Sequence, residues 1–538
     1  MDQRRVMLAV ALSLAVVLLY NEFVVRPRQH RGEEATPPAP TQEAQGTPTP
    51  TPEAAAPAPP PKSGGYLSFD PGQESPIVVE NDVFRATVTP VGGRLTSFDL
   101  KGFRRGVAAD SPPLDLVEPG SLLPLTVQLG DGSSDAGVTY APSTRALALS
   151  ADAQGEVVLK GKTASGTEVE KRLRFSGNSY VFDVGVRVAG ADPPTSAGLV
   201  MPRLARDGTH GSGSSARELG VIFSEGKLSE KDFTGIDTKS SSEPPKPESK
   251  AGAQWVGFSL PYFLSAVVAP ETGGGTAVVE LAGSTPIVMM DEKLVDGAAT
   301  FKLFVGPKTR ELLAAAGYDL GRTLDFGWFW FIAVPMLHAL RLLHRVSGNY
   351  GVDIILLTIL VRAATIPLTQ KSFRSMKEMQ KLQPQLKRLQ EQYKDDQSRL
   401  QKEMMELYKR HNVNPFSGCA PMVLQIPIFV GLYNALLHAI ELRHAPFALW
   451  ITDLSAPERL MIGGIGIPVL TILMGGTMIL QQWLTPQQGD PTQRQMMMIM
   501  PLVFTFMFIN FPAGLVLYWL VSNILGIAQQ YVMLKSPT

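Results

Sequence analysis

From residue 350 to the C-terminus the sequence runs repeatedly through about 20 residues with almost no charge, enough to cross a bilayer core of roughly 30 Å as a helix. These spans fall at roughly 350–369, 420–440, 460–480, 496–511 and 514–534. A sixth apolar run, Val6 to Val25, follows the opening MDQRR. A cleaved signal peptide is the competing reading there, because positive residues precede an apolar core. Tyr20, Asn21, Glu22 and Phe23 stand where cleavage needs small residues, which favours an uncleaved anchor over residues 1–31. Six transmembrane helices are therefore expected.

Between the first run and the rest the chain changes character twice. Residues 32–65 are rich in Pro, Ala and Thr. Proline fixes φ and lacks an amide donor, so this stretch reads as an extended, disordered linker. Over residues 66–318 the apolar period is two. Phe182, Val184, Val186 and Val188 alternate with Asp183, Gly185 and Arg187, and Phe84, Ala86 and Val88 do the same. That is the pattern of half-buried strands, and many of them predict a large antiparallel sandwich. The Gly-, Ser-, Lys- and Glu-rich stretch 206–250 is expected to be a long mobile excursion. The single Cys excludes a disulfide scaffold and any Cys-based zinc site. With 49 basic and 49 acidic residues, no global basic field points to nucleic acid.

Residues 319–349 carry aromatics, then Pro335, then Leu337, Leu340 and Leu343 on one face with Arg341 and Arg345 on another. This reads as an amphipathic helix in the membrane interface, interrupted at the proline, with a short buried helix as the alternative. Between Lys371 and Arg410 stand 11 Lys/Arg and 6 Asp/Glu, a net +5, which predicts a cytoplasmic loop. Six crossings then put both termini in the cytoplasm and the β-domain outside. Within residues 371–412 the apolar residues Phe373, Met376, Met379, Leu382, Leu386 and Leu389, then Leu400, Met404 and Leu407, recur every three or four positions. An antiparallel helical hairpin is expected, its first helix kinked at Pro384.

Arg362 does not fit its surroundings. It sits mid-span in YGVDIILLTILVRAATIPL, where an unpaired Arg costs from about 2.5 to over 10 kcal/mol. The other spans offer no mid-span carboxylate. A buried salt bridge or a snorkelling side chain competes with water reaching Arg362 through a cavity, and the missing carboxylate favours the cavity. Thr358, Arg362, Thr365 and Thr369 share one helix face; Trp519, Asn523, Gly526 and Gln530 share another, and Gln425 adds an amide. Inward-turned polar faces make a hydrophilic groove within the membrane. Twelve of the 20 methionines lie at or beyond Met404, a composition that suits varied apolar partners and equally suits contact with lipid.

Three long runs carry a resemblance: NYGVDIILLTILVRAATIPLTQKSFRSMKEMQKLQPQL, ELYKRHNVNPFSGCAPMVLQIPIFVGLYNAL and FPAGLVLYWLVSNILGIAQQY. In that order they resemble the YidC/Oxa/Alb membrane-insertase family over residues 306–535. The N-terminal anchor and large extracytoplasmic domain are similar to its longer, Gram-negative form. Trp255, Tyr262 and Phe263 fit that form's β-supersandwich less tightly. The resemblance implies five helices over residues 350–538 around a groove open to cytoplasm and lipid. Arg362 matches the groove arginine. Thr358, Phe429, Met474, Met507, Tyr518 and Trp519 match positions tied to substrate contact or core function, although Met507 and Trp519 replace other large residues. Implied partners are nascent membrane proteins, the Sec translocon with SecDF, and the translating ribosome or a targeting receptor at the cytoplasmic hairpin. The implied location is the inner membrane.

No Walker motif, HExxH, nucleophile elbow or His/Cys cluster is present, so the reading is an insertase and chaperone, with no enzyme activity and no cofactor. Two alternatives stand beside it. A small-solute or anion transporter using Arg362 calls for paired internal repeats, and no second copy is found. A carbohydrate-binding periplasmic module calls for aromatic platforms beside carboxylates or amides, which the sequence does not locate.

Overall fold

The computed structural model describes residues 75–535, except 119, 121, 165, 191–192, 206–216, 235–245, 270–273, 395, 412, 414–419 and 485–490. The expected N-terminal anchor and Pro-rich linker lie outside the described residues.

Alternation builds the N-terminal domain. Strand Val181–Ala189 buries Phe182, Val184, Val186 and Val188, and its neighbour Glu168–Ser176 buries Val169, Leu173 and Phe175. A five-stranded sheet runs in the order Pro113–Asp115, Arg94–Arg104, Phe84–Thr89, Ile77–Glu80, Ala146–Ala148, with only the last pair parallel. A 13-stranded antiparallel sheet extends from Thr126–Leu129 at one edge to Ala141–Pro142 at the other. Aromatic rings from both sheets meet in one core: Phe84 stacks on Phe98 at 4.4 Å, and Phe175 on Phe182 at 5.1 Å. Trp255 is fully buried, and its indole N–H donates to the Tyr318 carbonyl at 2.9 Å.

The expected excursion over 206–250 contains strands. Leu219–Ser224 pairs with Lys227–Asp232 on one side and with Glu248–Ser259 on the other. The run Val221–Ile222–Phe223, all buried, outweighs the polar composition around it.

A polar cluster lies deep in this domain. Lys171 takes an inward position between Val169 and Leu173, and its ammonium is 2.6 Å from Asp135; both side chains are 0% exposed. Lys171 also donates to the carbonyls of Gly92, Gly93 and Leu125. Asp135 accepts from the Tyr140 hydroxyl and the Val127 amide. Burial pushes the Lys171 amine down and Asp135 opposes that; burial, with Asp135 adding to it, pushes the Tyr140 phenol up.

The β-domain is fastened to the helical region. Helix α1 (Arg310–Ala316) starts at Thr309, whose hydroxyl accepts from the Leu312 amide, and stops at Gly317, φ +79°. Helix α2 (Trp330–Ser347) passes through Pro335 without interruption, the proline withholding one ladder bond, that to the Phe331 carbonyl. Its Arg341 bridges Glu311 of α1 at 2.6 Å and Glu441 at 2.8 Å. Arg443 donates to the Arg104 carbonyl in the β-domain and lies over the Phe263 ring.

The remaining helices are α3 (Tyr350–Lys381), α4 (Gln383–Gln392), α5 (Gln397–Arg410), α6 (Ala420–Leu437), α7 (Val469–Leu484), α8 (Pro491–Phe508) and α9 (Ala513–Lys535). Among the described residues, α3 and the 513–533 part of α9 are long and apolar enough to cross a membrane by themselves; the apolar parts of α6, α7 and α8 are shorter. Helix α2 buries Ala333, Met336, Leu337 and Leu340 and packs on α6, where Gly431 lets Ile332 approach. A Cβ at Gly431 would sit 2.9 Å from Ile332. Helix α3 opens at a buried Asp353, which accepts from Ser347 and pairs with His344 at 2.8 Å; His344 stacks on Tyr350.

Two expected helices differ in detail. The run 460–480 begins as a strand pair, Leu460–Ile462 with Ile465–Ile467, and becomes helical only at Val469. Gly463 and Gly464, both at positive φ, make the two-residue turn that helix geometry excludes. Pro384 does not kink a continuous helix: α3 ends at Lys381, and the proline lies in the first turn of α4.

Residues 381–414 form a separate compact unit. In it α4 packs against α5, and the Asp396 carboxylate caps α5 at the Arg399 amide. The Arg410–Glu406 pair spans one turn of α5.

Candidate functional site

The polar residues of the bundle divide into those that serve their own helix and those that face another. Thr358, Thr365 and Thr369 donate to the carbonyls of Ile354, Val361 and Thr365 respectively. Their hydroxyls are therefore spent on the α3 backbone. Arg362 instead reaches across to α9, where its Nε–H donates to the Ser522 hydroxyl at 2.9 Å. The guanidinium is half-buried, and among the described residues no carboxylate lies within ion-pairing distance of it.

Helix α9 presents a polar stripe at intervals of four. Tyr518, almost fully buried, accepts from the Gln425 side-chain amide of α6 at 2.7 Å. Ser522 follows one turn later and holds Arg362. Gly526 follows another turn on, under the guanidinium: a Cβ there would stand 3.1 Å from Gln481 Nε2 and 3.5 Å from Arg362 Nη2. Asn523, on the adjacent face, donates to Thr477 of α7 at 3.2 Å. Side chains of α3, α6, α7 and α9 thus converge on one polar cluster inside an otherwise apolar bundle.

The other sequence-selected residues surround this cluster without joining it. Trp519 does not share the polar face expected of it. It meets Phe429 edge-on at 4.7 Å and packs with Phe504 and Phe508. The indole is simply the largest apolar surface beside those rings, and aromatic packing there outweighs the i, i+4 relation to Asn523. Met474 and Thr358 are fully buried, and Met507 is half-buried against the same apolar core. Asn434 turns away from the cluster and donates to the Phe326 carbonyl. Ser522 and Gln481 were not singled out from sequence. The four-residue spacing Tyr518–Ser522–Gly526 was the available signal. Among the described residues no group of three or more His, Cys, Asp or Glu is placed to hold a metal ion.

Among the described residues, two helices of membrane-crossing length and apolar composition stand beside a polar cluster and an all-β domain, a combination that suits an integral membrane protein. Comparison with known proteins narrows that class. Residues 342–538 match the family described as 60Kd inner membrane protein, and residues 76–339 match the YidC periplasmic domain. A protein of Maridesulfovibrio salexigens named membrane protein insertase YidC is 36% identical over 561 residues, covering 100% of this chain and 99% of its own. One of the same name from Syntrophobacter fumaroxidans is 37% identical over 567 residues, covering 98% and 99%. A crystal structure of an active YidC insertase with its first transmembrane domain resolved aligns at TM-score 0.37 and 20% identity, over 85% of this chain and 93% of that one. The chain belongs to the YidC family of membrane protein insertases, proteins of the inner membrane with a periplasmic domain.

Proposed function

We propose that this insertase moves nascent membrane segments through a hydrophilic groove centred on Arg362, and that it does so without chemical catalysis. The observation that carries the proposal is the incomplete partnering of Arg362: one hydroxyl from the protein, and no carboxylate among the described residues. A guanidinium has five N–H donors, so most of its hydrogen-bonding capacity is left for water and for a passing polar flank. Gln425, Tyr518 and Ser522 line the polar side of the path. Thr358, Phe429, Met474, Met507 and Trp519 shape its apolar side. Positive charge and hydration lower the cost of moving the flank. Burial of apolar side chains in lipid, at about 0.8 kcal/mol per CH₂, then supplies the driving force.

The topology that goes with this mechanism has six transmembrane helices, the last five around the groove, and both termini in the cytoplasm. The hairpin region 371–412 then faces the cytoplasm, where its +5 charge (11 − 6) suits early contact with a ribosome or targeting receptor. The periplasmic domain is the place for accessory contacts with SecDF, and the groove works alone or beside the Sec translocon.

Reconstitution of the purified protein in liposomes tests the reading. A short single-span substrate should insert in its presence and fail in empty vesicles. Anion flux without insertion would replace the insertase groove by a transport site.

A further inference from the structure

The strand pair Leu460–Ile462 and Ile465–Ile467 is out of place for a surface hairpin. Its cross-strand pairs are Leu460–Ile467, Met461–Gly466 and Ile462–Ile465. Alternation therefore puts apolar side chains on both faces, and no charged residue occurs from 460 to 480. Met461 is 65% exposed, Ile462 55% and Ile465 70%. A lone two-stranded hairpin is at best marginally stable in water, and one without a polar face less so.

The hairpin's base is held firmly. Glu458 accepts from the Trp450 indole at 2.8 Å and from the Leu470 amide at the start of α7 at 2.6 Å. Arg459 donates to the Ile509 carbonyl and the Asn510 side chain in the turn between α8 and α9. The Leu454 and Ala456 carbonyls accept from Gly514 and Ala513 at the start of α9. The end of the bundle to which it is tied also touches the periplasmic domain, through Arg443 on the Arg104 carbonyl and Ile440 in that domain's core.

We propose that the tip Met461–Ile465 inserts into the acyl-chain boundary of the outer leaflet, anchoring the periplasmic end of the bundle to lipid. The hairpin runs directly into α7, whose exposed Ile472 and Leu473 extend the apolar surface from the tip toward the membrane core. Exposed Trp328 and Trp330, at the end of α2 where Phe326 meets Asn434, supply the aromatic residues that favour headgroup level. The open backbone edges of two strands need water or headgroups for partners, which limits the insertion to interfacial depth. The inference rests on the bundle spanning the membrane as proposed above.

Depth-dependent fluorescence quenching separates the two. In the full chain with Cys419→Ser, single cysteines are placed by Ile465→Cys, Ile472→Cys and Ser150→Cys and labelled with an environment-sensitive fluorophore. The proteins are reconstituted in vesicles of zwitterionic and anionic phospholipids, with bromine near the headgroup end or deep in the chains. The label at 465 should emit as in an apolar medium and be quenched several-fold more by the shallow bromolipid than the label at 150, while 472 responds to lipid quenchers at greater depth. Quenching at 472 with a water-like, unquenched 465 overturns the hairpin proposal and leaves the membrane reading intact. An apolar but unquenched 465 overturns it in favour of a protein partner or a second copy. Absence of quenching at both positions overturns both.

Discussion

Two cations of this chain, one fully buried and one half-buried, live under opposite conditions. Lys171, in the β-domain, has a carboxylate at 2.6 Å and three backbone carbonyls around its ammonium. Its partner Asp135 is bonded in turn to Tyr140 and Val127. Arg362, in the bundle, has one hydroxyl. A charge kept for structure is surrounded until nothing is left over, whereas Arg362, among the described residues, is held by the protein at one nitrogen. Lys308 stands between them. It is buried and donates to two neutral acceptors, the Ser259 hydroxyl at 2.8 Å and the Leu260 carbonyl at 3.1 Å, with the Glu230 charge offsetting part of the burial. The three sites order themselves by how much of the charge the fold itself satisfies.

The largest effect is expected where satisfaction is complete. Lys171→Met leaves Asp135 buried without its ion-pair partner and with only the field of Arg94 to offset its charge, and breaking such a pair costs about 3–5 kcal/mol. Thermal unfolding of the full chain in detergent should show the β-domain melting at clearly lower temperature, with insertion by the remaining folded protein unchanged. A variant as stable as the parent would mean that water reaches this site and that the contrast with Arg362 is false.

Lys308 gives a smaller effect with a defined pH signature. Burial pushes its amine from 10.5 down to about 8. Between those values the unfolded chain binds more protons than the folded one, so this residue's contribution to stability rises with pH through that window. Below about pH 8 both states are protonated, and the cost of burying the charge is fully present. The gain across the window is at most about 3 kcal/mol. It should appear as the difference between parent and Lys308→Met melting curves from pH 7.5 to 10.5. Parallel curves would place Lys308 in a wetter setting than its enclosure implies.

The smallest change concerns Gly526. Alanine is favoured over glycine within a helix by about 1 kcal/mol, so Gly526→Ala should not lower stability. Its Cβ nevertheless presses on the Gln481 amide at 3.1 Å, which must give by a few tenths of an ångström beside the Arg362 guanidinium, itself in ordinary contact at 3.5 Å. Insertion of an acidic-tailed substrate should therefore fall a few-fold while thermal stability holds or rises. Equal insertion would show that the position of the guanidinium is not critical.

Much of this contrast was legible in the sequence, for a simple reason. Arg362 breaks a long apolar run, and Phe182, Val184, Val186 and Val188 alternate cleanly; both signals are local. Lys171 was equally visible as the one charge among the inward positions Val169, Leu173 and Phe175, but its partner lies 36 residues away (171 − 135), across a fold that the strand pattern does not specify. Ser522 is an unremarkable residue until Arg362, 160 positions earlier, is brought beside it. Trp519 was assigned to the polar face by spacing alone, and packing against Phe429, Phe504 and Phe508 decided otherwise. The hairpin at 460–467 was hidden because its apolar composition equals that of the helix it precedes, and that helix has a glycine pair of its own at Gly475–Gly476, so Gly463–Gly464 does not stand out until its positive φ angles are seen.

The central claim is that Arg362 works by charge offered to a substrate, and insertion with varied tails tests it most directly. One single-span substrate is given an acidic, a neutral or a basic translocated tail, and each is presented to the parent, Arg362→Lys and Arg362→Ala in liposomes. Lysine lacks the bidentate fork but keeps the positive charge, so it should retain most activity with all three tails. Alanine should fail most severely with the acidic tail while the bundle melts at the parental temperature. Alanine that inserts all three tails as well as the parent, or that unfolds the bundle, contradicts the claim.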